Sequence, residues 1–153
     1  MKRIVTGLSL VALLAVAAPA SAKQKTVYYK GKTRYGNSIS FALKGNRISK
    51  IDGWVTTTCV PTKGTPTTRP AEFHPPGSFR LGRTRKTSLT EYVSWWGDTT
   101  FNYKVSLKKQ KGNVWLAKLH MNYSYTQFLL PGGGDVDQIL YVCQGDDSFT
   151  FAR

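Results

Sequence analysis

A chain of 153 residues with 22 Lys and Arg against 8 Asp and Glu carries a formal charge of +14 at neutral pH, and a field of that size attracts anions. The length suits one domain with a real hydrophobic core. Two cysteines and two histidines, with no histidine close to either cysteine, exclude a zinc cluster of the usual ligand spacing.

The first element is not part of the expected fold. Lys2 and Arg3 give a cationic start, Ile4 to Ala18 is apolar, and Ala20-Ser21-Ala22 puts small residues where a signal peptidase cuts. Residues 1–22 therefore read as a secretory signal, and residues 23–153 as a single all-β domain. The apolar run is short for a membrane span, and no later stretch approaches the length of one. Lys23 rather than a cysteine follows the cut, which argues against a lipid anchor. In an exported chain an even cysteine count favours a disulfide, and Cys59 and Cys143 allow one pairing.

Beyond the signal the apolar residues alternate. Val27 to Lys30 is a first strand. Ile39, Phe41 and Leu43 define a second, and Gly45-Asn46 is a hairpin turn. On the return strand Ile48, Ile51, Gly53, Val55, Thr57 and Cys59 stay in phase only if an extra residue sits near Ser49-Lys50, which predicts a β-bulge. Residues 60–77 hold Pro61, Pro66, Pro70, Pro75 and Pro76. They read as a long connection with room for a short edge segment. Phe79 and Leu81 resume alternation, and Thr87 to Ser94 is a further strand. Phe101 to Leu107 and Trp115 to Tyr125 form a hairpin about Lys109 to Asn113. Residues 128–137 contain Pro131-Gly132-Gly133-Gly134, a loop. Ile139 to Gln144 and Ser148 to Ala152 read as a closing pair around Gly145-Asp146. The sum is an antiparallel sandwich or closed barrel of about eight or nine strands with one disulfide.

Tyr35-Gly36 before the Phe41 strand, Gly45-Asn46-Arg47-Ile48, Cys59, and the ending Cys143-Gln144-Gly145 followed by an aromatic strand together resemble a group of small exported bacterial β domains of unassigned function. The resemblance implies an exported β fold in which the two cysteines form a structural bridge; it implies no activity. The proline-rich connection and Trp95-Trp96 depart from that pattern.

Catalytic constellations are sparse. His74 lies in the proline-rich connection and His120 on the polar face of its strand, and neither has a serine and a carboxylate at a recognisable spacing. A hydrolase would need one of them to approach a carboxylate in a cleft. Asp135 and Asp137 in the glycine-rich loop offer too few oxygens for calcium unless Asp146 and Asp147 join them, and nothing in the spacing calls for a cofactor.

The basic residues do cluster. Lys30, Lys32 and Arg34 flank the first turn. Arg80, Arg83, Arg85 and Lys86 form the densest run, and Lys104, Lys108, Lys109, Lys111 and Lys118 follow the later hairpin. These groups suit anion binding. Tyr92, Trp95 and Trp96 form a candidate aromatic contact, because neighbours on a strand face opposite sides and one Trp must point outward. The expected function is a secreted, non-catalytic binding or structural module contacting an anionic surface polymer or glycan. Specific nucleic-acid recognition is disfavoured, since no recognition helix is present. The alternative is a protein-interaction or inhibitor-like module using loops 60–77 and 128–137.

Overall fold

In the computed structural model, which describes residues 24–93, 97–129 and 137–153, nine strands form one antiparallel sheet. β1 (Thr26–Lys32) and β2 (Ser38–Lys44) make the first hairpin, and β3 (Arg47–Pro61) returns from it. β4 (Thr67–Phe73), β5 (Ser78–Arg80) and β6 (Thr84–Val93) follow. Three long strands complete the chain: β7 (Gly97–Lys109), β8 (Val114–Leu129) and β9 (Asp137–Ala152). The bonded order is β1-β2-β3-β9-β8-β7-β6, with β4 and β5 also paired to β3. Among the described residues no helix is long and apolar enough to cross a membrane.

The architecture turns on β3. Its first half pairs β2 from Arg47 to Gly53, and its last four residues, Thr58 to Pro61, pair β9. Its other edge carries β5 and then β4, since Arg47 faces both Lys44 and Arg80, and Cys59 faces both Cys143 and Thr67. The expected bulge is present. Ser40 faces Asp52 while Ala42 faces Ser49, so β3 holds one more residue than β2 there, and Lys50 takes φ 52°. The extra residue lets Ile48 and Ile51 both point inward, each nearly inaccessible, and it raises the local twist. Two glycines allow backbones to approach where β3 changes partners. A Cβ on Gly53 would lie 2.5 Å from the Ser38 carbonyl oxygen, and one on Gly145 would lie 2.5 Å from that of Thr56.

One core forms between the two halves of this bent sheet. Ile39, Phe41, Ile48, Val55, Phe73 and Phe79 come from β2 to β5; Val105, Leu107, Leu119, Met121, Phe149 and Phe151 come from β7 to β9. Each such side chain stabilises the fold by about 1.5–3 kcal/mol when fully buried. Phe73 meets Tyr103 edge-on at 5.2 Å, although β4 and β7 share no ladder. At the open side Arg85 of β6 donates to the Ser78 carbonyl at 2.8 Å and lies over Phe79. Side chains hold that seam; no ladder closes the sheet into a barrel. The Cys59–Cys143 disulfide joins directly opposed residues of β3 and β9.

Two expectations are corrected and one is refined. Gly145-Asp146 is not a turn: β9 runs unbroken through it, because β8 is just as long and pairs with it throughout. In residues 60–77 the expected edge segment is present but longer than a short one: Thr67–Phe73 form the seven-residue strand β4, where Pro70 is tolerated opposite Thr56 because β4 is an edge strand. The other correction is the barrel alternative, which the open seam rules out.

Candidate functional site

The strongest concentration of polar chemistry lies on the outer face of β6 to β9. Alternation sends Val105, Leu107, Leu119 and Met121 to the core, so the residues between them face out. Register then aligns these outer residues across strands. Lys86 faces Lys104, Lys104 faces His120, and His120 faces Asp146. The next rung on one side is Thr84, Ser106, Lys118 and Ser148. On the other side Ser88 faces Asn102, Asn102 faces Asn122, and Asn122 faces Gln144. These rungs floor a trough of about 760 Å³.

Like charges directly opposite each other on a sheet destabilise it, and Lys86 and Lys104 are such a pair. Asp146 does not relieve them, because it holds His120 instead, with Nδ1 to Oδ1 at 2.8 Å. The face thus carries a cationic step, with Lys118 and Lys108 also outward on it, among Ser, Thr, Asn and Gln side chains, and the carboxylate that lines the trough, Asp146, is bonded to His120. An anion bridging the two ammonium groups would relieve that repulsion.

The trough continues past β9. A second depression of about 650 Å³ shares Asp146 with the first and is lined by Tyr35, Thr56, Thr58, Thr68 and Gln144. Tyr35 reaches it because the β1–β2 turn is tied down. Asn37 donates to Thr56 Oγ1 at 2.9 Å and to the buried Asp147 carboxylate at 3.4 Å, and the Arg34 amide donates to the Ser148 carbonyl at 2.7 Å. Tyr35 remains 57% exposed, with the Arg34 guanidinium 4.5 Å from its ring centre.

The predicted basic clusters are divided by this geometry. Lys86 and Lys104 meet, Lys108 lies outward farther along β7 and Lys118 outward on β8, while Lys109 and Lys111 stand at the β7–β8 turn. Arg85 takes the face opposite to Lys86 and serves the seam. Arg80 lies on β5 opposite Arg47, and Arg83 is in the turn before β6. The Arg80 to Lys86 run is thus not one patch, since an extended strand sends neighbours to opposite faces. Tyr92 pairs with Asp98 through β6 and β7; Trp95 and Trp96 lie outside the described residues, as do residues 130–136 of the glycine-rich loop.

The histidines both approach carboxylates. His74 sits between Asp52 at 3.3 Å and Glu72 at 3.4 Å, which engages both ring nitrogens. Glu72, Glu91, Tyr103 and Arg69 line a smaller groove of about 360 Å³ between β4 and β6. Among the described residues no group of three or more His, Cys, Asp and Glu is placed to hold a metal ion. Comparison with family models, curated proteins and solved structures found no match.

The sequence reading missed the neutral rung and Tyr35 as site residues. Alternation alone marks Asn102, Asn122 and Gln144 as outward. Asn102 meets Asn122 through the β7–β8 hairpin, whereas Asn122 meets Gln144 through the pairing of β8 with β9.

Proposed function

We propose that this protein is an exported, non-catalytic binding module whose ligand is an anionic polymer of the cell exterior. The observation that carries the reading is the Lys86–Lys104 step, with Lys118 beside it, in a trough whose carboxylate among the described residues, Asp146, is hydrogen-bonded to His120. The net charge of +14 draws polyanions toward the molecule, and the ammonium groups supply point contacts to phosphate, sulfate or carboxylate. The export expected from residues 1–22 would put such polymers within reach.

The test is retention on immobilised heparin as salt is raised. Elution is expected within the range where the screening length falls from about 10 Å toward 3 Å. K86A/K104A/K118A is expected to elute markedly earlier, while K109A/K111A at the turn shifts little. Retention that ignores salt, or that persists unchanged in the triple variant, would remove this face from the proposal and return the contact to the Tyr92, Trp95 and Trp96 segment.

A further inference from the structure

The rung beside the lysine step extends farther than the lysine step itself. Thr68 on β4 faces Thr58 on β3, Thr58 faces Gln144 on β9, and the line continues through Asn122 on β8 and Asn102 on β7 to Ser88 on β6. Six adjacent strands thus place an uncharged hydrogen-bonding side chain in one transverse row. Strand spacing makes the row about 24 Å long. Asn102, Asn122 and Gln144 are exposed and, among the described residues, spend none of their amide groups on the protein.

We infer that this row, together with the lysine step and the Tyr35 ring, binds a linear acidic polysaccharide laid across the strands. The inference rests on the anionic-polymer reading above and names its substrate class. Three observations carry it. First, an amide both donates and accepts, and so does a hydroxyl. A sugar chain satisfies both halves of the row, whereas a polyphosphate offers acceptors alone and would leave the Asn and Gln carbonyls desolvated without donors. Second, the cations are sparse. Lys86 and Lys104 flank the β6–β7 end of the row on the adjacent rung, Lys118 lies one rung farther off, and Arg34 stands against Tyr35 beside β9, with the His120–Asp146 pair between. That spacing fits a polymer charged at intervals. Third, the Tyr35 ring lines the same depression as Thr58, Thr68 and Gln144, with Arg34 against it, and an exposed ring with a polar edge suits stacking on a sugar. Single-stranded nucleic acid needs successive aromatic platforms for its bases, and the described outward positions of β6 to β8 along the lysine and amide rungs hold none.

The test measures binding of oligogalacturonates of increasing length, with polyphosphate, polyuridylate and neutral dextran as comparators, at about 0.1 M salt. Oligogalacturonate affinity is expected to rise with length and level off once the chain spans the row, about 24 Å. N102A/N122A/Q144A should weaken the longest oligomer by roughly tenfold or more, from three lost hydrogen bonds, and Y35A by a few fold, while polyphosphate changes by less than about twofold. These side chains are outward, so unchanged thermal melting confirms that the variants are folded. Affinity for oligogalacturonate no better than for dextran, no loss in the triple variant, or tighter binding of polyuridylate would each overturn the inference. K86A/K104A separates the two levels. If it weakens polyphosphate and oligogalacturonate together, the anion reading stands whatever the amide row does. If it weakens neither, the underlying reading fails.

Discussion

Tyr103 shows how burial and charge act on one group. Its side chain points inward from β7, edge-on to Phe73. Burial, reinforced by Glu91 and Glu72 and opposed by a hydrogen bond from the His74 backbone, pushes its hydroxyl up to about 12. The folded state thus favours the neutral phenol more than the unfolded chain does, whose tyrosines titrate near 10. The resulting stabilisation is fully present below about pH 10 and is lost as pH rises through about 12. Denaturant titrations of the wild type should show stability falling across that window. Y103F, which has no hydroxyl to ionise, should show a shallower fall with a similar neutral-pH fold. An identical alkaline loss in both proteins would show that other groups cause it.

At the scale of the strands, the close approach of β9 to β3 depends on Gly145. Its backbone is in the extended ladder, so the requirement is space. A Cβ would meet the Thr56 carbonyl oxygen at 2.5 Å and the Thr57 methyl at 2.7 Å. Backbone on one side and a fully buried side chain on the other leave little to move. G145A should therefore destabilise by about 1–3 kcal/mol, as overpacking does, measurable by urea denaturation; a change within about 0.5 kcal/mol would mean that the strands separate at little cost. This position also marks a limit of sequence reading. Gly-Asp is a turn signal in isolation, and only the matching length of β8 makes it mid-strand. Other local signals do match the structure: the alternation of Ile39, Phe41 and Leu43, the Gly45-Asn46 turn, and the extra residue at Ser49-Lys50 are all present. What depended on pairing between distant strands was not legible. Gly53 and Gly145 sit where β3 changes partners, but a glycine does not say which strand approaches it, and the alignment of Asn122 with Gln144 follows from that distant pairing.

Over the whole molecule, β3 and β9 connect the two halves of the sheet through a ladder of only four residue pairs, Thr58–Gln144 to Pro61–Tyr141. The Cys59–Cys143 bond lies inside that short ladder and closes a separation of 84 residues. Loop-closure entropy gives such a bond about 4–5 kcal/mol at the upper end, and an oxidising exterior of the kind expected after export would preserve it. Its inward sulfurs sit one residue from Thr58 and Gln144, the outward pair at which the amide row crosses from β3 to β9. The lysine step on β6 and β7 lies two strands away and belongs to one half alone. Reduction should therefore separate two properties. The melting temperature should fall by roughly 10–20 °C. Below that lowered midpoint the reduced protein should still be retained on heparin by a salt-sensitive interaction, yet lose the gain in affinity that longer oligogalacturonates bring. C59A/C143A should behave as the reduced protein does. Loss of heparin retention and length dependence together, in a protein still folded by circular dichroism, would show that the two rungs form a single inseparable site. Retention of both would show that the four-residue ladder and the shared core hold the halves in register without the bond.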